Sequence, residues 1–416
     1  MRSGTARSYG WEASTILGMT SASRTPRIYL DHAATTPVRE EVREAMEPFF
    51  TRRFGNASSL HEEGQAARKA LEEARESVLE ACGAGDFDLV FCGSGTEADN
   101  TALIGSVLEA RHQARGNSGA GSGHVVTSAV EHPAVLETLP LLEELGGTAT
   151  VVGVDHDGRV DPARIEESLR PGTCLVSLQA ANNETGALQP FEEVGRRAHA
   201  HRVPFHTDAV QILGKLPLGL DALPVDLVTI SAHKVYGPKG MAALLIRKEA
   251  SFEPILRGGS QEGGLRAGTE NVALAVGFAR ALALLEAERR ELCVRLQGVR
   301  DRLRGGILAR FPGVLINTPQ ESALPTILNV SFPTVEGESL VRLLDWMGVA
   351  ASTGSACNVG AKKPSHVLKA MGRTDVEVRG SLRLSLGRSN TEAEVEPFLD
   401  SLEKAVRQLE GVAPAV

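Results

Sequence analysis

Between residues 88 and 247, short apolar runs alternate with longer stretches whose apolar positions recur at helical spacing. The runs are Asp88–Phe91, His124–Thr127, Cys174–Gln179, Val203–His206, Leu227–Ile230 and Met241–Ile246. Runs of this length bounded by turn residues predict interior strands, and their alternation with helices predicts an α/β domain with a mostly parallel central sheet flanked by helices. Arg115–Gly123, rich in Gly and Ser, reads as a surface loop. After the Gly-rich stretch Arg257–Thr269, a long helical pattern over Asn271–Arg304 leads into a smaller α+β C-terminal domain. The tail opens on the capping-box pattern Thr391-Glu392-Ala393-Glu394 and continues with Val395, Phe398, Leu399, Leu402, Val406 and Leu409, the stripe of a core-facing helix. No internal repeat is present. The expected organisation is an N-terminal extension (1–26), a segment packing with the small domain (27–40), a large domain (41–285) and a small C-terminal domain (286–416).

Composition narrows the function. With 416 residues, 42% of them hydrophobic, the chain is long enough for two lobes. Its formal net charge of -8 gives no reason to expect a direct nucleic-acid partner. The longest apolar stretch, Val272–Ala287, is interrupted by Arg280 and is too short to cross a bilayer, so no membrane helix is expected. Cys82, Cys92, Cys174, Cys293 and Cys357 include no CxxC pair, which argues against a zinc knot or a disulfide framework, and no metal site is expected. A reducing cytoplasm fits this cysteine usage. Residues 1–26 are rich in Ser, Thr and Arg and read as a disordered tail, a misassigned start upstream of Met19, or a transit segment.

The chemistry gathers behind the runs. In an open parallel sheet, ligands bind beyond the carboxyl ends of the strands. Ser231-Ala232-His233-Lys234 follows Leu227–Ile230 and delivers one lysine to such an end. Burial there favours the neutral, nucleophilic amine, although a lone lysine at a strand end can equally snorkel to water. Elsewhere the runs are followed by Gly93-Ser94-Gly95-Thr96-Glu97, by Glu131 and His132, by Asn182 and Asn183, and by Asp208 with Gln211. The first is a small-residue turn ahead of a helix, suited to a phosphate. No GxxxxGK[ST] is present. One ligand would use the whole set: pyridoxal 5'-phosphate, which needs a Schiff-base lysine, an acid at its pyridine nitrogen, an anion site and a flat group over its ring.

The chain resembles the cysteine desulfurases of the class V aminotransferase group, within fold type I of the pyridoxal phosphate enzymes. The likeness rests on Tyr29-Leu30-Asp31-His32-Ala33-Ala34-Thr35-Thr36-Pro37, Phe54-Gly55-Asn56, Asn182-Asn183-Glu184-Thr185-Gly186, the lysine tetrapeptide with Tyr236-Gly237-Pro238, Leu265-Arg266-Ala267-Gly268-Thr269-Glu270-Asn271, and Ser355-Ala356-Cys357. It implies that Lys234 forms the Schiff base, that Asp208 pairs with the pyridine nitrogen, and that Gln211 and Asn183 lie near the phenolic oxygen. It also implies that His132 stacks on the ring and moves protons, and that Gly95, Thr96, Ser231 and His233 hold the phosphate. Thr269 would reach across from a second subunit, making a homodimer. Arg383, with Asn183, would bind the substrate carboxylate.

Cys357 lies in a run of small residues and by itself reads as readily as a small buried hydrophobe. In the resembled family it is the nucleophilic thiol, which implies conversion of L-cysteine to L-alanine with a persulfide left on Cys357, for a sulfur-acceptor protein such as an iron–sulfur scaffold or a tRNA-thiolation enzyme. The interval from Cys357 to Pro364-Ser365-His366-Val367 resembles the longer-loop type. Lys362-Lys363, Gly93-Ser94-Gly95-Thr96, Ser260 and Gly263 depart from the common pattern. A selenocysteine lyase on the same scaffold and a non-catalytic sulfur-carrier or scaffold protein are the alternatives.

Overall fold

The computed structural model describes residues 27–114, 123–353 and 364–412. The expected N-terminal extension, most of the Arg115–Gly123 loop, Lys362-Lys363 and Cys357 lie outside the described residues.

Seven strands form the main sheet in the order Phe87–Cys92, Ala242–Arg247, Leu227–Ser231, Phe205–Asp208, Thr173–Ser177, His124–Ser128, Thr148–Val152. Only Ala242–Arg247 runs against the rest, so the sheet is mostly parallel and the fold is α/β, as expected. The central strands are buried on both faces, which is why they read as continuous apolar runs.

One strand is unexpected, and expected strands shift at their ends, Cys174–Gln179 to Thr173–Ser177 among them. Thr148–Val152 sits at the sheet edge, half-exposed and mixed in polarity, and gave no apolar run. The strand expected over Val203–His206 instead spans Phe205–Asp208. Pro204 has no N–H for the ladder and contributes only its carbonyl, to Val176 N at 3.0 Å. Asp208 therefore ends the strand rather than following it.

The long helix spans Val272–Arg310, six residues beyond the pattern's expected end at Arg304, with the Asn271 side chain accepting from Leu274 N. It passes through Gly305-Gly306 because packing overrides propensity. A Cβ on Gly306 would lie 2.3 Å from Leu399 Cδ1 on the terminal helix Val395–Val412, whereas nothing lies within 4 Å at Gly305. Thr391 and Glu394 form the predicted capping box ahead of that terminal helix. Beyond the long helix, Ser381–Ser385, Ile327–Ser331 and Leu315–Ile316 form a three-stranded antiparallel sheet. The chain's start joins this region: Ile28–Tyr29 pairs in parallel with Val349–Ala350.

The two glycines should separate in a thermal or urea unfolding series. Gly305→Ala is expected to stabilise by about 0.5–1 kcal/mol through helix propensity. Gly306→Val is expected to cost about 1–3 kcal/mol by overpacking against Leu399. Equal effects at both positions would contradict the packing account.

Candidate active site

Lys234 lies in the single turn Ala232–Lys234 at the carboxyl end of Leu227–Ser231. Its Nζ donates to Ala33 O at 2.5 Å and Ala34 O at 2.8 Å, so the N-terminal segment holds the amine at the sheet. The same segment locks the turn. Thr36 Oγ1 donates to His233 O at 2.9 Å and accepts from Tyr236 N at 2.8 Å. Tyr236 adopts φ 64°, a left-handed conformation costing on the order of 1–2 kcal/mol for a bulky residue. Its hydroxyl accepts from Arg388 N at 2.6 Å, which helps to hold it there.

In front of Lys234 is a cavity of about 270 Å³, lined among others by His132, Asn183, Asp208, Gln211, Ser231 and Arg383. Gly95, Thr96 and His233 also line it. Of the expected site residues that the structure describes, all but Thr269 therefore meet in one place, and Cys357 lies outside the described residues. Thr269 is exposed on the Gly-rich segment and is not part of this lining.

Burial governs the site's electrostatics. Asp208 Oδ1 accepts from Val210 N at 2.9 Å, and desolvation lifts its carboxyl above the usual range. Asp99, buried on the helix Gly95–Ala114, is lifted further by burial and by the charge of Asp208. Glu131 is pushed up to about 8 by burial, although Ser128 Oγ and Gln179 N both donate to it. His132 caps the short helix Pro133–Leu136 by accepting from Ala134 N through Nδ1, at 3.1 Å. The neutral ring then carries its proton on Nε2. Desolvation, and after it the charges of Lys234 and His366, depress His132 to about 4. His233 is likewise depressed to about 4, chiefly by burial, and its Nδ1 lies 3.2 Å from Thr35 Oγ1.

The start of the helix Gly95–Ala114 is suited to an anion. Gly93 N donates to Glu97 Oε2, and Arg266 of the Gly-rich segment binds Glu97 Oε1 at 2.7 Å, fixing the turn. Opposite, the buried Ser231 Oγ has no partner among the described residues. Such an orphan costs about 1–3 kcal/mol unless a ligand satisfies it. Arg383, from Ser381–Ser385, donates through Nη2 to Asp31 Oδ1 at 2.8 Å and through Nη1 to Asn183 O at 3.0 Å. Its buried Nε has no partner among the described residues.

A model of the aminotransferase class-V family matches residues 28–398. The chain belongs to this family. A cysteine desulfurase IscS of Dictyoglomus turgidum is 43% identical over 387 residues, covering 93% of this chain and 96% of that protein. Among solved structures, a NifS-like protein superposes with a TM-score of 0.84 at 37% identity, over 92% of this chain and 100% of that one. A structure described as SspA in complex with cysteine gives a TM-score of 0.74 at 34% identity, over 86% of this chain and 98% of that one.

The chain is a pyridoxal phosphate-dependent enzyme of the class V aminotransferase family. The residues present fit that cofactor. The N-terminus of the helix Gly95–Ala114 and the orphan Ser231 hydroxyl suit a phosphate, and the buried carboxylates Asp208 and Asp99 suit a cationic ring nitrogen. Motif reading passed over Asp99, Asp31 and the carbonyls of Ala33 and Ala34. It also missed Ser365 and His366 as anchors. Ser365 Oγ donates to Glu184 Oε2 at 2.5 Å, and His366 Nε2 lies 2.9 Å from Glu131 O, beside His132.

In cofactor-free protein, His132 is expected to stay neutral down to about pH 4, because burial and the Lys234 charge both disfavour the imidazolium. The unfolded chain takes up this proton first, so the residue's contribution to stability is full above pH 6.5 and is lost as pH falls toward about 4. A midpoint near 6.5 in an NMR titration of its ring nitrogens would contradict this.

Proposed function

We propose that this chain is a cysteine desulfurase that converts L-cysteine to L-alanine and receives the sulfur as a persulfide on Cys357. The observation that carries the reading is the convergence of Lys234, Asp208, His132 and Arg383 on one cavity, in a chain 43% identical to a cysteine desulfurase. The cysteine bound in the SspA structure supports the same substrate here.

Pyridoxal phosphate, when bound, supplies a carbonyl that condenses with amines and a ring that withdraws electrons from a substrate carbon. Ser231, His233, Gly95 and Thr96 would hold its phosphate, with Thr269 contributed by the second subunit of a homodimer. Asp208 would hold the ring nitrogen, Gln211 and Asn183 would flank the phenolic oxygen, and His132 would lie against the ring.

Lys234 Nζ would be the amine that holds the cofactor carbonyl, and as a free amine it would serve as the base for the substrate's Cα proton. His132, whose Nδ1 caps the helix Pro133–Leu136, would present Nε2 for proton transfers. Arg383, oriented by Asp31, binds the substrate carboxylate together with Asn183. The Cys357 thiolate attacks the substrate sulfur: the S–S bond forms as the Cβ–S bond breaks, the pair stays on Cβ, and protonation there gives the methyl group of alanine. The other cysteines are poor candidates for that step. Burial pushes the Cys82 and Cys174 thiols up to about 12 and raises Cys92 and Cys293 as well.

The persulfide would pass to an acceptor protein such as an iron–sulfur scaffold or a tRNA-thiolation enzyme. The proposed setting is the cytoplasm, and no helix among the described residues is long and apolar enough to cross a membrane.

Cys357→Ser should bind the cofactor normally, yet form alanine from L-cysteine only at background and show no added sulfur mass on the chain. Retained turnover would remove Cys357 from the reaction, and parallel assays with L-selenocysteine separate a lyase from a desulfurase. Arg383→Lys is expected to raise KM for L-cysteine roughly 10- to 100-fold, the worth of one charged hydrogen-bond set, with cofactor content unchanged. An unaltered KM would take the carboxylate away from Arg383.

A further inference from the structure

Behind Lys234, on the side away from the ligand cavity, lies a second cavity of about 20 Å³. Among the described residues, Lys234 is the one common to the linings of both. The rear cavity is otherwise apolar where the long helix faces it, but His32, Lys215, Cys293 and Thr326 bring polar atoms to it. His32 is 6% exposed, and neither ring nitrogen has a hydrogen-bond partner among the described residues. Thr326 Oγ1 is buried and unpartnered in the same sense. His32 cannot turn away, because its ring is wedged between the Tyr29 ring, 4.8 Å distant and edge-on, and the Gly387 backbone, where even a Cβ would lie 2.3 Å from Nδ1. A cavity of this size holds one water, and a buried water needs two to four polar partners, which this one offers.

Lys215 is the unusual member. Its Nζ donates to Gln211 O at 2.7 Å, and Gln211 Nε2 donates in turn to Ala33 O, which also accepts from Lys234 Nζ. Two lysine amines thus converge on Gln211 and Ala33 from opposite sides. Desolvation, and after it the charge of Lys234, depress Lys215 to about 7. Among the described residues, the titratable groups sharing this cavity are Lys234, His32, Tyr236 and Cys293, and Arg289 adds its charge beside Cys293. None of them is an anion at neutral pH, since burial raises the Cys293 thiol.

We propose that His32, Thr326 and Lys215 bind one ordered water in this rear cavity, and that Lys215 is a positioning cation that disfavours protonation of Lys234 from behind. The coupling is reciprocal: a proton on either amine disfavours one on the other, and the water gives a protonated Lys215 a hydrogen-bond partner where no carboxylate is present. The proposal rests on Lys234 being the reactive lysine.

The test uses the full chain loaded with pyridoxal phosphate. A crystal structure that resolves ordered water should show one peak within hydrogen-bond distance of His32 and Thr326. A dry cavity overturns the proposal whatever the variants do. In Lys215→Met, the pH midpoint of the cofactor's visible absorbance should rise by about half a unit to one unit, a threefold to tenfold change in the neutral fraction, while Lys215→Arg stays near wild type. An unchanged midpoint in Lys215→Met that carries the band, or the same rise in both variants, overturns the role of Lys215. Absence of the band in wild type would instead overturn the functional reading. Should Lys215→Met not fold, the rate of amine labelling of Lys234 against pH in cofactor-free wild type decides. A single titration unaffected by Lys215 ionisation counts against the coupling.

Discussion

An amine placed among buried strands must find acceptors, and in this protein Lys234 finds two backbone carbonyls, Ala33 O and Ala34 O. That pairing sets much of the remaining geometry. To bring those carbonyls to the sheet, the N-terminal segment crosses to the lysine turn, where Thr36 serves both as donor and acceptor and Tyr236 is held in a conformation it would not adopt alone. Carbonyls hold an ammonium without neutralising it. An acid in their place would fix the proton on Nζ, whereas neutral acceptors leave the amine able to give it up.

The rest of the site follows the same economy of charge. Its acids and its histidines are shifted in opposite directions by one cause, the loss of water. Asp208, Asp99 and Glu131 are raised, and His132, His206 and His233 are lowered. Each shift leaves the neutral form favoured, so the interior carries few net charges for its many ionisable groups. A ligand that brings both a cationic nitrogen and a phosphate supplies partners to a region built with acids at one end and a helix N-terminus at the other. His206 shows how closely the surroundings are packed: its ring nitrogens reach Ser177 Oγ at 2.9 Å and Thr229 Oγ1 at 3.0 Å, tying three neighbouring strands together beneath Asp208.

Much of this was legible in the sequence because a parallel sheet puts chemistry at strand ends, and strand ends follow apolar runs. Lys234, His132, Asn183, Asp208 and Gln211 were found that way, and the structure gathers them. What escaped has physical reasons. Thr148–Val152 is an edge strand and needs no apolar run. The helical pattern reads only as far as Arg304, and the Gly305-Gly306 pair beyond it stays helical because close approach of the terminal helix requires a missing side chain at Gly306. Asp99 sits one turn inside a helix, where a buried acid looks like any exposed one. The holders of Lys234 are main-chain atoms, which no side-chain motif can announce.

The pairing of Ile28–Tyr29 with Val349–Ala350 has a consequence for biosynthesis. The first described strand of the chain waits for a partner made more than three hundred residues later, and His32 N and Ala33 N are anchored still further on, at Ser385. Contacts of such long sequence separation form late. The N-terminal segment can already meet the lysine turn through Thr36, but its pairing with Val349–Ala350 and Ser385 must wait for those residues to be made.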